Sequence, residues 1–187
     1  MKEDIKIYKD KLFKTLNDEK LYVQIEKLFN DIFECWKNKR HVYICGNGGS
    51  AGNAIHIAND YIYGAGITNK AGIRIEALSS NSAVLTCLAN DLGYENIYSE
   101  QLKVKGNEGD LLIILSGSGN SKNVVKALEV GNSLKMKTFS ILGFDGGKCL
   151  SLSNNSIHFQ INDMQISEDL QLVVMHMIMK KLSKIKI

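Results

Sequence analysis

From position 41 onward, short apolar runs alternate with segments of helical period, and this alternation limits the possible folds more than any other feature of the sequence. Runs at 41–45, 73–78, 110–116, 138–143 and 157–161 are too short for helices. Their apolar residues are consecutive rather than alternating, which predicts strands buried on both faces. Segments 50–63, 82–90, 94–104, 121–134 and 165–184 carry helical spacing. Five such units predict an α/β fold, a three-layer αβα sandwich around a five-stranded parallel sheet. In a sheet of this kind ligands bind beyond the carboxyl ends of the strands.

Before the first strand, residues 2–39 read as two amphipathic helices. Ile5, Tyr8 and Leu12 mark the first, and Tyr22, Ile25, Leu28, Phe29, Ile32, Phe33 and Trp36 mark the second, with a break near Asn17 and Asp18. The second has more large apolar groups than one packing face needs, so part of it is expected to meet another copy of the chain. The 187 residues are thus expected to form one domain, 1–187, with 1–39 as a helical arm used in oligomerisation. The assembly expected is a homo-oligomer, taken as a tetramer, although sequence alone leaves dimer against tetramer open.

Several classes are disfavoured. A formal charge of +3 gives no bulk attraction to nucleic acid, and no apolar run approaches the length of a membrane span. The four cysteines, Cys35, Cys45, Cys87 and Cys149, form no CxxC pair and fall mostly in apolar runs. They read as reduced, buried thiols of a cytoplasmic protein. With no proline in the chain, turns fall to Gly, Asn, Asp and Ser.

Two glycine loops stand where a ligand would bind. The first strand runs through Cys45-Gly46-Asn47-Gly48-Gly49-Ser50 into a helix, and the third through Leu115-Ser116-Gly117-Ser118-Gly119-Asn120-Ser121. Both expose backbone N–H groups and a helix N-terminus to an anion. The three hydroxyls of the second loop can donate to phosphate oxygens, so this loop is read as the phosphate cradle, with Ser121 also a possible N-cap. Both loops also fit plain βα turns. The first matches a dinucleotide fingerprint only in degenerate form, with Glu76 as its possible acid, and a dinucleotide site would not need the second loop; no nucleotide cofactor is expected.

Ionisable groups gather on two helices. His56 and Asp60 lie four apart, and His176 stands in an apolar stretch of the last helix, eight residues after Glu168 and seven after Asp169. At 3.6 residues per turn either carboxylate is able to share a face with His176. Each histidine alone also fits an ordinary interior or interface side chain. Together they offer the nitrogen and oxygen ligands Zn²⁺ accepts, or an acid and base for proton transfer. Asn90 and Asp91, at the end of a helix, are able to bind sugar hydroxyls or to cap that helix.

The blocks at 45–50, 88–93 and 115–121, with the terminal helix carrying His176, resemble the phosphoheptose isomerases of the sugar isomerase (SIS) superfamily in order and spacing over nearly the whole chain. The resemblance implies a flavodoxin-like strand order and interconversion of sedoheptulose 7-phosphate and glycero-manno-heptose 7-phosphate, feeding heptose into lipopolysaccharide or capsule. It implies substrate contacts at Asn47, Gly48, Gly49, Ser50, Asn90, Asp91, Ser116, Gly117, Ser118 and Ser121, and a Zn²⁺ site drawn from His56, Asp60, Glu168 and His176. In such families active sites borrow residues across subunits, so His56 is a candidate to serve a neighbour's pocket. Four positions depart from the family pattern. Asp60 stands for a catalytic glutamate, Glu168 for a glutamine and Gly64 for an arginine, while Gly117 replaces a usual threonine.

The expected chemistry is an aldose/ketose isomerisation through an enediolate, with Asp60 or Glu168 as base and His176 relaying the second proton. Because Asp60 is one methylene short, Glu168 is expected beside His176, taking over part of the base's work or the metal's charge neutralisation. The rival readings are a non-catalytic SIS module that binds a sugar phosphate or docks a protein, and an isomerase of another phosphosugar.

Overall fold

The computed structural model describes residues 1–67 and 71–186. Two helices, α1 (Lys2–Leu16) and α2 (Glu19–Lys37), precede β1 (Val42–Gly46), α3 (Gly49–Tyr63), β2 (Ile75–Ala77) and α4 (Ser82–Leu92). A 3-10 turn (Tyr94–Asn96) leads to α5 (Ser99–Lys105), β3 (Leu111–Ser116), α6 (Lys122–Ser133), β4 (Lys137–Leu142), α7 (Gly147–Leu152), β5 (Asn155–His158) and α8 (Met164–Leu182).

The five strands pair in parallel in the order β2-β1-β3-β4-β5, the order expected. Alternate residues of each strand face opposite layers. Val42, Ile44, Leu111, Ile113 and Leu115 pack with Leu28 and Ile32 of α2, Ile57 of α3 and Leu170 and Val174 of α8. Tyr43, Cys45, Leu112 and Ile114 pack with Leu102 of α5, Val124 and Leu128 of α6 and Cys149 of α7. Each fully buried aliphatic side chain of this kind contributes about 1.5–3 kcal/mol relative to exposure. Acid and amide caps start helices in place of proline: Asp18 accepts from Lys20 N, Asn81 from Val84 N and Asp163 from Ile166 N.

Several boundaries differ from the sequence reading. The helix expected over 94–104 is broken at Ile97 and Tyr98, both buried side chains that anchor the turn. β5 starts two residues early, on polar Asn155 and Ser156, because an edge strand needs no apolar run on its outer side. α7 was not anticipated: it is six residues long and buries only Cys149, too little to leave a period. Of the loop expected at 64–72, residues 68–70 lie outside the described residues.

Two helices bury nothing. α1 and α4 have no buried residue, and Ile5, Ile7 and Phe13 of the first and Leu92 at the end of the second are at least half exposed. The reading of all four cysteines as buried therefore fails at one: Cys87, on α4, is exposed, while Cys35, Cys45 and Cys149 are buried. Polar contacts hold α1 to α8. The Tyr8 hydroxyl donates to Asp169 Oδ2 at 2.5 Å, which pushes the phenol up to about 12, and Lys11 pairs with Asp163 at 3.0 Å.

Candidate active site

The carboxyl ends of β1 and β3 lie side by side, Gly46 opposite Leu115, and bring the two glycine loops together. Their closeness requires glycine at 46, where a β-carbon would stand 2.6 Å from the Leu115 carbonyl oxygen. Tyr98, its hydroxyl forced well above its usual pKa by burial, donates to the Gly46 carbonyl at 2.5 Å and fixes the start of the first loop. Gly48 then takes a left-handed backbone, φ +55°, and caps α3 without a side chain.

In the second loop, Ser116 Oγ accepts from Gly119 N at 3.0 Å and Ser118 Oγ from Asn120 N at 3.3 Å. Both hydroxyls use acceptor capacity on their own loop and keep their O–H for a ligand. Ser121 occupies the N-cap position of α6 but makes no side-chain cap, so the capping role left open by the sequence is not taken up. A β-carbon at Gly117 would meet the thioether end of Met164, so a side chain there requires Met164 to move. A void of about 430 Å³ beside this loop is lined by Ser118, Asn120, Phe144, Asp145 and Asn162.

A second group lies farther along α3 and α8. His176 Nε2 stands 3.0 Å from His56 Nε2 and 3.2 Å from Asp60 Oδ2, and His56 Nε2 is 3.6 Å from the same oxygen. The two rings meet edge-on at an interplanar angle of 77°. Tyr61, next to Asp60, sets the register by donating to the Met175 carbonyl at 2.8 Å, with burial pushing its phenol far up. These three groups are spaced to hold a metal ion.

Glu168 is not among them. Eight residues on α8 place it about 12 Å from His176 along the axis, and its carboxylate covers Gly49, where a β-carbon would run into it. The expectation that Glu168 sits beside His176 thus fails in position: the carboxylate lies at the N-terminus of α3, where the helix dipole favours an anion. Asp169 points instead to Tyr8. Asn90 and Asp91 hydrogen-bond to each other at 2.8 Å and are exposed, apart from both glycine loops in the bonds they make.

Four residues missed in the sequence tie the site together. Gln171 donates to Ser50 Oγ at 3.1 Å and accepts from Asn53, which also donates to the Glu168 carbonyl. Asn123 and Tyr94 both bond to Asn47. For Gln171 and Asn123, buried amides in helix faces, that burial was the available signal.

The family model described as the SIS domain matches residues 8–143. A phosphoheptose isomerase from Helicobacter pylori (strain P12) is 36% identical over 171 residues, 91% of this chain and 88% of that protein. The chain belongs to the phosphoheptose isomerase family of SIS domain proteins. Another phosphoheptose isomerase, from Aneurinibacillus thermoaerophilus, is 34% identical over 163 residues, 87% of this chain and 82% of that protein. The structure of a family member from Neisseria gonorrhoeae superposes with a TM-score of 0.88 at 23% identity, covering 98% of this chain and 99% of that one. At that identity the superposition bears on fold alone. Among the described residues no helix is long and apolar enough to cross a membrane.

Proposed function

We propose that the protein is an aldose/ketose isomerase that interconverts sedoheptulose 7-phosphate and glycero-manno-heptose 7-phosphate for heptose and surface polysaccharide synthesis. The observation that carries this reading is Asp60 Oδ2 lying within 3.6 Å of two imidazole nitrogens in a chain of this family. A pure sugar-phosphate sensor needs the serine loop but not that cluster.

Ser116, Ser118 and Ser121 hold the phosphate through their free O–H groups and the start of α6, with Gly117 letting the backbone approach. Asn47, Gly48, Gly49 and Ser50, with Asn90 and Asp91, contact the sugar. Asp60 takes the proton from the carbon beside the carbonyl, and the electron pair moves into the carbon–carbon bond to give the enediolate. The same carboxyl returns a proton to the neighbouring carbon while His176 moves the hydroxyl proton between the two oxygens, so no electrons are gained or lost overall. Glu168, at the mouth of the first loop, accepts from sugar hydroxyls and contributes negative charge to the site.

His56, Asp60 and His176 would hold Zn²⁺ through two imidazole nitrogens and a carboxylate oxygen, a donor set that this ion accepts and whose atoms lie within 4.8 Å of one another. Zinc there supplies a Lewis acid for the carbonyl oxygen. His56 is seven residues from Gly49, about 10 Å along α3, so this cluster and the first glycine loop of one copy stand apart. That separation, with the unburied face of α1, supports a site completed between copies in a cytoplasmic homo-oligomer, taken as a tetramer, in which 1–187 is one domain and 1–39 its assembly arm.

The test is direct. Purified protein is incubated with sedoheptulose 7-phosphate and the aldose anomeric signal followed by NMR, with and without chelator. Appearance of the aldose supports the reading; none, with phosphate still bound in calorimetry, favours a binding module.

A further inference from the structure

Asn123 lies on the second residue of α6, 1% exposed, between the phosphate cradle and the first glycine loop. Val124 N donates to Asn123 Oδ1 at 2.9 Å. A backbone N–H cannot be turned into an acceptor, so this contact decides which end of the Asn123 amide is oxygen. The rest follows from that choice. Asn47 Nδ2 donates to the same oxygen at 2.8 Å, and Asn123 Nδ2 donates to Asn47 Oδ1 at 2.8 Å. Tyr94 adds a second donor to Asn47 Oδ1 at 3.0 Å. The oxygen of Asn47 is therefore filled, while one hydrogen of its Nδ2 has no acceptor among the described residues.

We infer that Asn123 is a positioning residue that holds Asn47 as a hydrogen-bond donor to an oxygen of the sugar and ties that donor to the phosphate cradle. α6 begins at Lys122, immediately after Ser121, so an anion seated on the serine loop and the Asn47 amide share one rigid element. Without Asn123, the Asn47 amide keeps only its bond to Tyr94, whose hydroxyl accepts as well as donates, so the amide is able to turn and present its carbonyl, which repels a carbonyl or enediolate oxygen. The inference rests on Asn47 contacting substrate, as in the proposed function.

Two variants test it. Asn123→Leu removes the acceptor and the donor at similar size. Asn123→Asp keeps an acceptor for both Val124 N and Asn47 Nδ2. The expected result is a fall in kcat of roughly 10- to 100-fold for Asn123→Leu, with inhibition by inorganic phosphate near wild type, and recovery of most of that loss in Asn123→Asp. The Asn47 Nδ2 proton that is bonded to Asn123 should be protected from exchange with solvent in the wild type and in Asn123→Asp, and should exchange fast in Asn123→Leu. A folded Asn123→Leu with wild-type kcat and a protected Asn47 Nδ2 proton overturns the inference. If that variant fails to fold, fast exchange of the Asn47 Nδ2 protons in Asn123→Asp overturns it, and protection upholds it. Wild-type kcat in Asn47→Ala removes the donor role while leaving the isomerase reading intact. If the wild type turns over no sedoheptulose 7-phosphate, the isomerase reading fails and the exchange rate of the Asn47 Nδ2 protons still decides the positioning claim.

Discussion

The Tyr61 hydroxyl donates to the Met175 carbonyl at 2.8 Å, so the bond between α3 and α8 falls one residue away from both Asp60 and His176. This buried bond sets the sliding register that brings the acid to the imidazole. Tyr61→Phe should lower stability by about 0.5–1.5 kcal/mol, read as a shift in the urea midpoint. It should also weaken Zn²⁺ retention on dialysis, whereas an unchanged metal content would show that the register does not depend on this bond.

The phosphate cradle is tested at two hydroxyls. Ser118→Ala with Ser121→Ala should weaken binding of inorganic phosphate by on the order of 1–3 kcal/mol per lost bond to the charged group, measured by calorimetry. Unchanged affinity would move the phosphate to the first loop.

How far the site was legible depended on distance along the chain. The strands, the two loops and the i, i+4 pair His56 and Asp60 follow from local pattern, because each is decided within one element. Glu168 was misplaced because helical phase relates it to His176 but says nothing of which neighbour each meets. α3 runs past α8 so that Gly49 receives Glu168 while Asp60 receives His176. Asn123 was invisible for the same reason, since its partner Asn47 is 76 residues away.

The acids should separate in their effects. Asp60→Asn is expected to abolish turnover and lower bound Zn²⁺, measured by elemental analysis. Glu168→Gln should keep the metal, since its carboxylate lies at Gly49 rather than in the cluster, and should raise KM more than it lowers kcat. Metal loss in Glu168→Gln would mean that this carboxylate reaches the cluster after all.

The clasp between the arm and α8 carries a pH signature. Lys11, through its hydrogen bond to the carboxylate, and the backbone N–H groups of the α8 cap hold Asp163 below its ordinary 3.8. A carboxyl with a depressed folded value contributes stability that is present above 3.8 and lost as pH falls through that lower value. Carbon-13 titration should place the Asp163 midpoint below 3.8, and Lys11→Met should move it upward. A midpoint unmoved by that substitution would remove Lys11 from the clasp.

Thiol chemistry should single out one cysteine. Burial pushes Cys35 and Cys149 up to about 12 and Cys45 further, whereas Cys87 is exposed and its thiol is raised mainly by its bond to Asp91. Under native conditions a disulfide reagent should label one thiol per chain, and faster at pH 8 in Asp91→Asn. Rapid labelling of more than one would contradict the packing of β1, α2 or α7.

Gly49 has a consequence for how such a site drifts over generations. At Gly46 a new β-carbon meets rigid main chain, so that position is closed to change. At Gly49 it meets only the tip of a flexible acid. An alanine arising there would leave the backbone in place and re-aim the Glu168 carboxylate without altering Glu168 itself. The two positions are therefore epistatic: the effect of any change at 168 depends on what stands at 49, and selection is able to retune the acid from a residue that touches no proton.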